Sequence, residues 1–167
     1  MPRARLILKA TALASDATRE VVRQRFARHG VDPAALDLRG FSTESEMLRQ
    51  YGDVDIALDP FPYNGCTTTC DALTMGVPVV TLEGAVLPGR HGFALLRNCG
   101  LDDWIARTRE EYVDLACAAA ADTNRLARLR LELRERFLAS PLTDAPRFAR
   151  AFEALYRQAW TEWCALR

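Results

Sequence analysis

VDIALDPFPYNGCTTTCDALTMGVPVV, Val54 through Val80, is the stretch from which the rest of this chain can be read. Its apolar opening, Val54 to Leu58, reads as a buried strand. Asp59-Pro60-Phe61-Pro62-Tyr63-Asn64-Gly65 follows. Two prolines and an Asn-Gly pair in so short a span specify an ordered loop rather than a helix. Three hydroxyls come next, Thr67, Thr68 and Thr69, and then Asp71. From there to Met75 the composition suits a short helix, with Gly76 placed to stop it. Val77 to Leu82 reads as the next buried strand. A helix start turns unpaired N–H groups and a partial positive charge outward, so anions collect there. Threonine hydroxyls add donors without adding charge. The unit reads as a candidate diphosphate site.

The flanking sequence repeats the alternation of strand and helix. Arg5 to Lys9 is an expected first strand, followed by a helix from about Ala17 to His29, capped by Ser15 or Asp16 and burying Val22 and Phe26. Gly30 ends it. Leu36 to Gly40 is an expected second strand, and Thr43-x-x-Glu46 is a capping-box pattern for a short helix to about Tyr51. After Leu82 a loop runs from Glu83 to Gly92, then a helix from Phe93 to Asn98. The segment Leu101 to Ala106 reads as a short helix and a short strand. Further helices are expected over Glu110 to Ala121 and Arg125 to Leu138, the latter with Leu126, Leu129, Leu133 and Phe137 along one side. Ser140-Pro141-Leu142 breaks the chain. A last helix from about Arg147 carries Phe148, Phe152, Leu155, Tyr156, Ala159 and Trp163 at helical spacing, a stripe most simply packed on the domain. This is the pattern of a parallel α/β sheet covered by helices on both faces.

Composition narrows the function classes. In 167 residues, 22 basic side chains balance 22 acidic ones, which favours neither nucleic acid nor an anionic membrane surface as partner. No apolar run approaches the ~20 residues that span a bilayer. With no secretory signal read at the start, a cytoplasmic protein is expected. The five cysteines, Cys66, Cys70, Cys99, Cys117 and Cys164, match no paired metal-ligand spacing, so reduced thiols and no zinc are expected.

The central motif, together with Arg90, Glu111-Tyr112-Val113 and Ser140-Pro141-Leu142, resembles the C-terminal catalytic region of O-linked N-acetylglucosaminyltransferases, in their bacterial, SPINDLY-like branch. The resemblance implies a GT-B glycosyltransferase, in which two Rossmann-like domains face one another. This chain would be the C-terminal, donor-binding half. Residues 1–145 would form the Rossmann-like nucleotide-sugar domain, and residues 146–167 an amphipathic helix packed on it or on a missing N-terminal half. The implied donor is UDP-N-acetylglucosamine and the implied acceptor is a Ser or Thr of a protein. No metal or other cofactor is implied. A separate N-terminal half or a helical-repeat domain is the implied partner, with no nucleic acid and no membrane.

The same resemblance implies the site. Thr67 and Thr68 would bind the diphosphate, and Asp71 would hold the ribose hydroxyls. Gly65 would permit close backbone approach, and Asn64 would shape the turn. Arg90 would stand beside the donor, and Ser42 and the residues after it would meet the uracil. Cys66 stands where some relatives carry histidine, and Met47 where animal members place a histidine against the base. Methionine can pack on a flat ring but offers no such polar contact. No catalytic residue is identified. Plainer readings stand beside these: the Thr run as a solvated helix cap, Asp71 as a first-turn acid on the helix dipole, Arg90 and His91 as a solvated pair. A nucleophilic role for Cys66 lacks a visible base. A UDP-sugar-binding module without turnover and a GT-B sugar-nucleotide epimerase are the alternative functions.

Overall fold

The computed structural model describes residues 4–166 of the chain. Contacts divide it into two units, residues 1–50 and 51–167.

In the first unit, β1 (Leu6–Lys9) pairs in parallel with β2 (Leu36–Arg39), Leu6 opposite Leu36 and Leu8 opposite Leu38. Parallel neighbours need a crossover, and α1 (Asp16–Ala27) supplies it. Gly30 follows α1 at φ +76°, the left-handed conformation in which a helix exit favours glycine. The expected capping box opens α2 (Glu44–Gln50). The Glu46 carboxylate accepts from the Thr43 N–H at 2.9 Å and from Thr43 Oγ1 at 2.7 Å. Those bonds hold the Glu46 carboxyl below its ordinary range.

The second unit holds β3 (Ala57–Leu58), β4 (Val79–Leu82) and β5 (Ile105–Ala106), paired in that order and all parallel. The intervening helices are α3 (Thr67–Thr74), α4 (His91–Asn98), α5 (Arg109–Ala121) and α6 (Thr123–Leu138). Leu73 from α3, Val77, Val79 and Val80 from the β4 region, Leu96 from α4, Trp104, and Leu129, Leu133 and Phe137 from α6 share one core. The α6 residues are the stripe that its periodicity marks. Caps fit the sequence too: Thr108 accepts from the Glu111 N–H at 3.1 Å, and Asp122 from the Arg125 N–H at 2.9 Å.

Three elements differ from expectation. In α1 no residue is buried, and Val22 and Phe26 are only half-buried. The third strand is only two residues long, and its Leu58 is 47% exposed. The Arg130 guanidinium from α6 reaches across to the carbonyls of Tyr51 and Met75, each at 3.2 Å, and to that of Val54. The Val54 carbonyl is thereby committed to a side chain before the ladder starts. The last helix, α7 (Ala145–Ala165), runs 21 residues with every described side chain exposed. Its stripe does not pack on the domain: Phe148 and Phe152 stack at 5.7 Å, Tyr156 meets Phe152 edge-on at 4.9 Å, and Trp160 is 67% exposed. The core closes without any α7 residue.

Candidate functional site

The site begins one residue beyond β3. The Asp59 N–H donates to the Val80 carbonyl at 2.9 Å, so the backbone is still held to β4 there. Its side chain is buried, at 3% exposure. One carboxylate oxygen accepts from the Gly65 N–H and the other from Thr81 Oγ1, both at 2.6 Å. Burial pushes the Asp59 carboxyl above its ordinary value, while the bonds from Thr81 and Gly65 and the charge of His91 pull the other way.

The loop that leaves Asp59 is braced on three sides. Tyr112 on α5 donates its hydroxyl to the Asp59 carbonyl at 3.0 Å and meets the Phe61 ring edge-on at 5.4 Å. Asn64 is buried; its side-chain amide donates to the Pro60 carbonyl at 3.0 Å, and its backbone N–H to the Pro88 carbonyl at 2.9 Å. The last bond ties this loop to the one that runs from Glu83 to Arg90. Arg90 pairs with Glu83 at 2.8 Å, donates to the Gly84 carbonyl at 3.3 Å and lies over the Phe93 ring at 4.7 Å. Its guanidinium, expected beside a donor molecule, is engaged by its own loop. His91 opens α4, its ring edge-on to Tyr63 at 6.5 Å.

At the end of the loop α3 starts at Thr67, with the threonine run in its first turn as the sequence suggests. The three hydroxyls then divide. Thr69 is buried and its Oγ1 donates to the Gly65 carbonyl at 3.1 Å. Thr67 and Thr68, in the first turn, are exposed, as is Cys66 at the N-cap. Cys66 makes no side-chain capping bond. The first amides of an α-helix have no partner within it, so this start offers N–H groups and two hydroxyls together. Gly65 lies beneath them: a Cβ there would stand 2.7 Å from Thr68 Oγ1 and 3.0 Å from Thr69 Oγ1. Tyr51 donates its hydroxyl to the Thr68 carbonyl at 3.1 Å. Its phenol is pushed up to about 12 by burial, and then by the charge of Asp71 in the second turn.

Asn64, Gly65, Cys66, Thr67, Thr68, Asp71 and Arg90 therefore all lie in the second unit, along one loop–helix segment and the loop tied to it. Ser42 and Met47 belong to the first unit, where Ser42 accepts from Lys9 Nζ at 2.6 Å and Met47 is half-buried on α2. The sequence reading missed Asp59, Thr81, Tyr51 and Tyr112. Only Asp59 carried a local signal, as the acid where an apolar run meets a proline. Among the described residues, no three His, Cys, Asp or Glu side chains gather as a metal-binding set.

With this geometry in hand, comparison with known proteins is specific. Residues 12–152 match the model of glycosyl transferase family 41. The chain belongs to that family. Among its relatives is the probable UDP-N-acetylglucosamine–peptide N-acetylglucosaminyltransferase SPINDLY of Solanum lycopersicum, 38% identical over 165 residues, which are 98% of this chain and 18% of that one. The UDP-N-acetylglucosamine–peptide N-acetylglucosaminyltransferase of Caenorhabditis elegans is 30% identical over 141 residues, 84% of this chain and 12% of that one. A solved mutant O-GlcNAc transferase of Thermobaculum terrenum superposes with a TM-score of 0.90 at 42% identity, over 98% of this chain and 31% of its own. The family-41 chain thus has the α/β fold of part of a glycosyltransferase and spans less than a fifth of the curated relatives' length.

Proposed function

We propose that this family-41 chain is the donor-binding part of a UDP-N-acetylglucosamine:protein O-GlcNAc transferase. The observation that carries the proposal is the start of α3, where Cys66 supplies no cap and Thr67 and Thr68 stand exposed above Gly65. Transfer requires an acceptor Ser or Thr hydroxyl to attack the anomeric carbon while UDP departs. Negative charge then grows on the diphosphate. Hydroxyls and helix-start amides fixed in advance stabilise such charge without reorganising, and do so without a metal ion. Thr67 and Thr68 take the diphosphate, Asp71 the ribose hydroxyls, and Gly65 admits close approach. Asn64 and Arg90 hold the loops on either side, and Cys66 lines the helix start.

The rest of the enzyme is an N-terminal GT-B half, whether in the same polypeptide or a separate one, and a helical-repeat domain recruits the acceptor protein. The exposed α7 stripe, from Phe148 to Trp163, is the surface that half would cover. The setting is the cytoplasm; among the described residues no helix is long and apolar enough to cross a membrane. A second reading, binding of UDP-sugar without turnover by this chain alone, is favoured by its coverage of only 31% of the solved transferase.

Calorimetric titration with UDP tests the site. Thr68→Ala is expected to weaken binding by about fivefold to tenfold, the cost of one lost donor. Unchanged affinity in that variant removes the diphosphate assignment. Hydrolysis or transfer of the sugar by the purified chain excludes the binding-only reading.

A further inference from the structure

The buried pair Asp59 and Thr81 joins the loop after β3 to the middle of the sheet. A carboxylate taken out of water costs several kcal/mol unless it is well bonded, and among the described residues no lysine or arginine pairs with this one. Its partners are instead the Gly65 N–H, the Thr81 hydroxyl and, through charge, His91. Each partner sits at the entry to a helix or on the strand between. Gly65 is two residues before α3. Thr81 is on β4, and Gly92 is the second residue of α4. A Cβ at Gly92 would strike both Thr81 Oγ1 and an Asp59 carboxylate oxygen. Only a bare Cα lets α4 begin against the pair.

We propose that Asp59, seated by Thr81, is the positioning residue of the nucleotide loop. Its carboxylate takes the Gly65 N–H inward, and the chain that follows then presents the amides of Cys66, Thr67 and Thr68 and the two threonine hydroxyls outward. The Tyr112 bond to the Asp59 carbonyl fixes the backbone from which that carboxylate projects. Asp59 touches no substrate in this scheme. Asp59 and Thr81 are both buried, at 3% and 0% exposure, so the stability of every variant is measured beside its affinity. The inference rests on the diphosphate reading of the α3 start.

The test is UDP titration of the full chain and five variants, Thr68→Ala among them, each held well below its own unfolding midpoint. Asp59→Leu removes the acceptor at similar volume and is expected to lower UDP affinity at least tenfold, about 1.4 kcal/mol. Asp59→Asn keeps an oxygen for Gly65 and is expected to stay within about threefold of the parent. Thr81→Val is expected to lose about fivefold and Thr81→Ser to restore it. Should Asp59→Leu not fold, the Thr81 pair decides alone. Parent binding with Thr68→Ala weakened but Thr81→Val unchanged overturns the positioning role and leaves the site standing. A parent chain that does not bind UDP overturns the site, and the positioning role with it.

Discussion

The Tyr51 hydroxyl donates to the Thr68 carbonyl at 3.1 Å. A residue seventeen positions upstream thus holds the first turn of α3 by its backbone, leaving the Thr68 hydroxyl uncommitted by that bond. Tyr51 also packs against the core. Tyr51→Phe keeps the ring and removes only the bond. Its expected cost is about 1 kcal/mol of unfolding free energy, read from the denaturant midpoint at unchanged slope.

Arg130 is the more heavily used brace. It gives hydrogen bonds to the carbonyls of Tyr51, Val54 and Met75. Arg130→Met retains the stem and strands three acceptors, so a loss of about 2–4 kcal/mol is expected. Arg130→Lys recovers only part, because an ammonium lacks the planar fork that serves several acceptors at fixed angles. Equal stability of the methionine variant and the parent in chemical denaturation counts against the brace.

Gly65 and Gly52 make a matched pair. A Cβ at Gly65 meets Thr68 Oγ1 at 2.7 Å and Thr69 Oγ1 at 3.0 Å, whereas one at Gly52 meets nothing within 4 Å. Gly65→Ala is expected to displace both hydroxyls and to weaken UDP binding by an order of magnitude or about that. Gly52→Ala is expected to leave binding alone and to raise stability by up to ~1 kcal/mol through the unfolded chain. Calorimetry and thermal unfolding of the two variants side by side check both halves.

Asp59 imposes a pH dependence on folding. Burial lifts its carboxyl above the ordinary 3.8, so the folded chain holds that proton more tightly than the unfolded one. The contribution to stability is full below 3.8 and is lost as pH rises through the raised value. Asp59→Asn has no such proton. The stability of the parent relative to Asp59→Asn is therefore expected to fall as pH climbs above 3.8. Denaturant melts of both proteins across the acid range give the sign directly; a rising difference contradicts it.

Local chemistry was legible in the sequence wherever it was answered locally. The Thr43–Glu46 box closes within one turn, Gly76 takes φ +76° behind α3, and Leu129, Leu133 and Phe137 of α6 bury as their spacing demands. Long-range partners erased that legibility. Val54 reads as strand until Arg130, 76 residues away, takes its carbonyl. Asp59 reads as a loop acid because Thr81 lies 22 residues downstream. The Thr run reads as three equal hydroxyls, yet the phase of α3 turns Thr69 inward while Thr67 and Thr68 stay out. In α7 the periodicity announces an apolar face but says nothing of what covers it.

The groups gathered at the start of α3 are neutral: amides and hydroxyls, with the neighbouring Arg90 already engaged by Glu83. Cradles built from lysine and arginine lose affinity steeply as ionic strength rises, because mobile ions screen them. A neutral cradle has little to screen. On the proposed diphosphate reading of the α3 start, adding potassium chloride during a UDP titration should leave the dissociation constant nearly level, so that the same affinity would be met in cells of very different salinity.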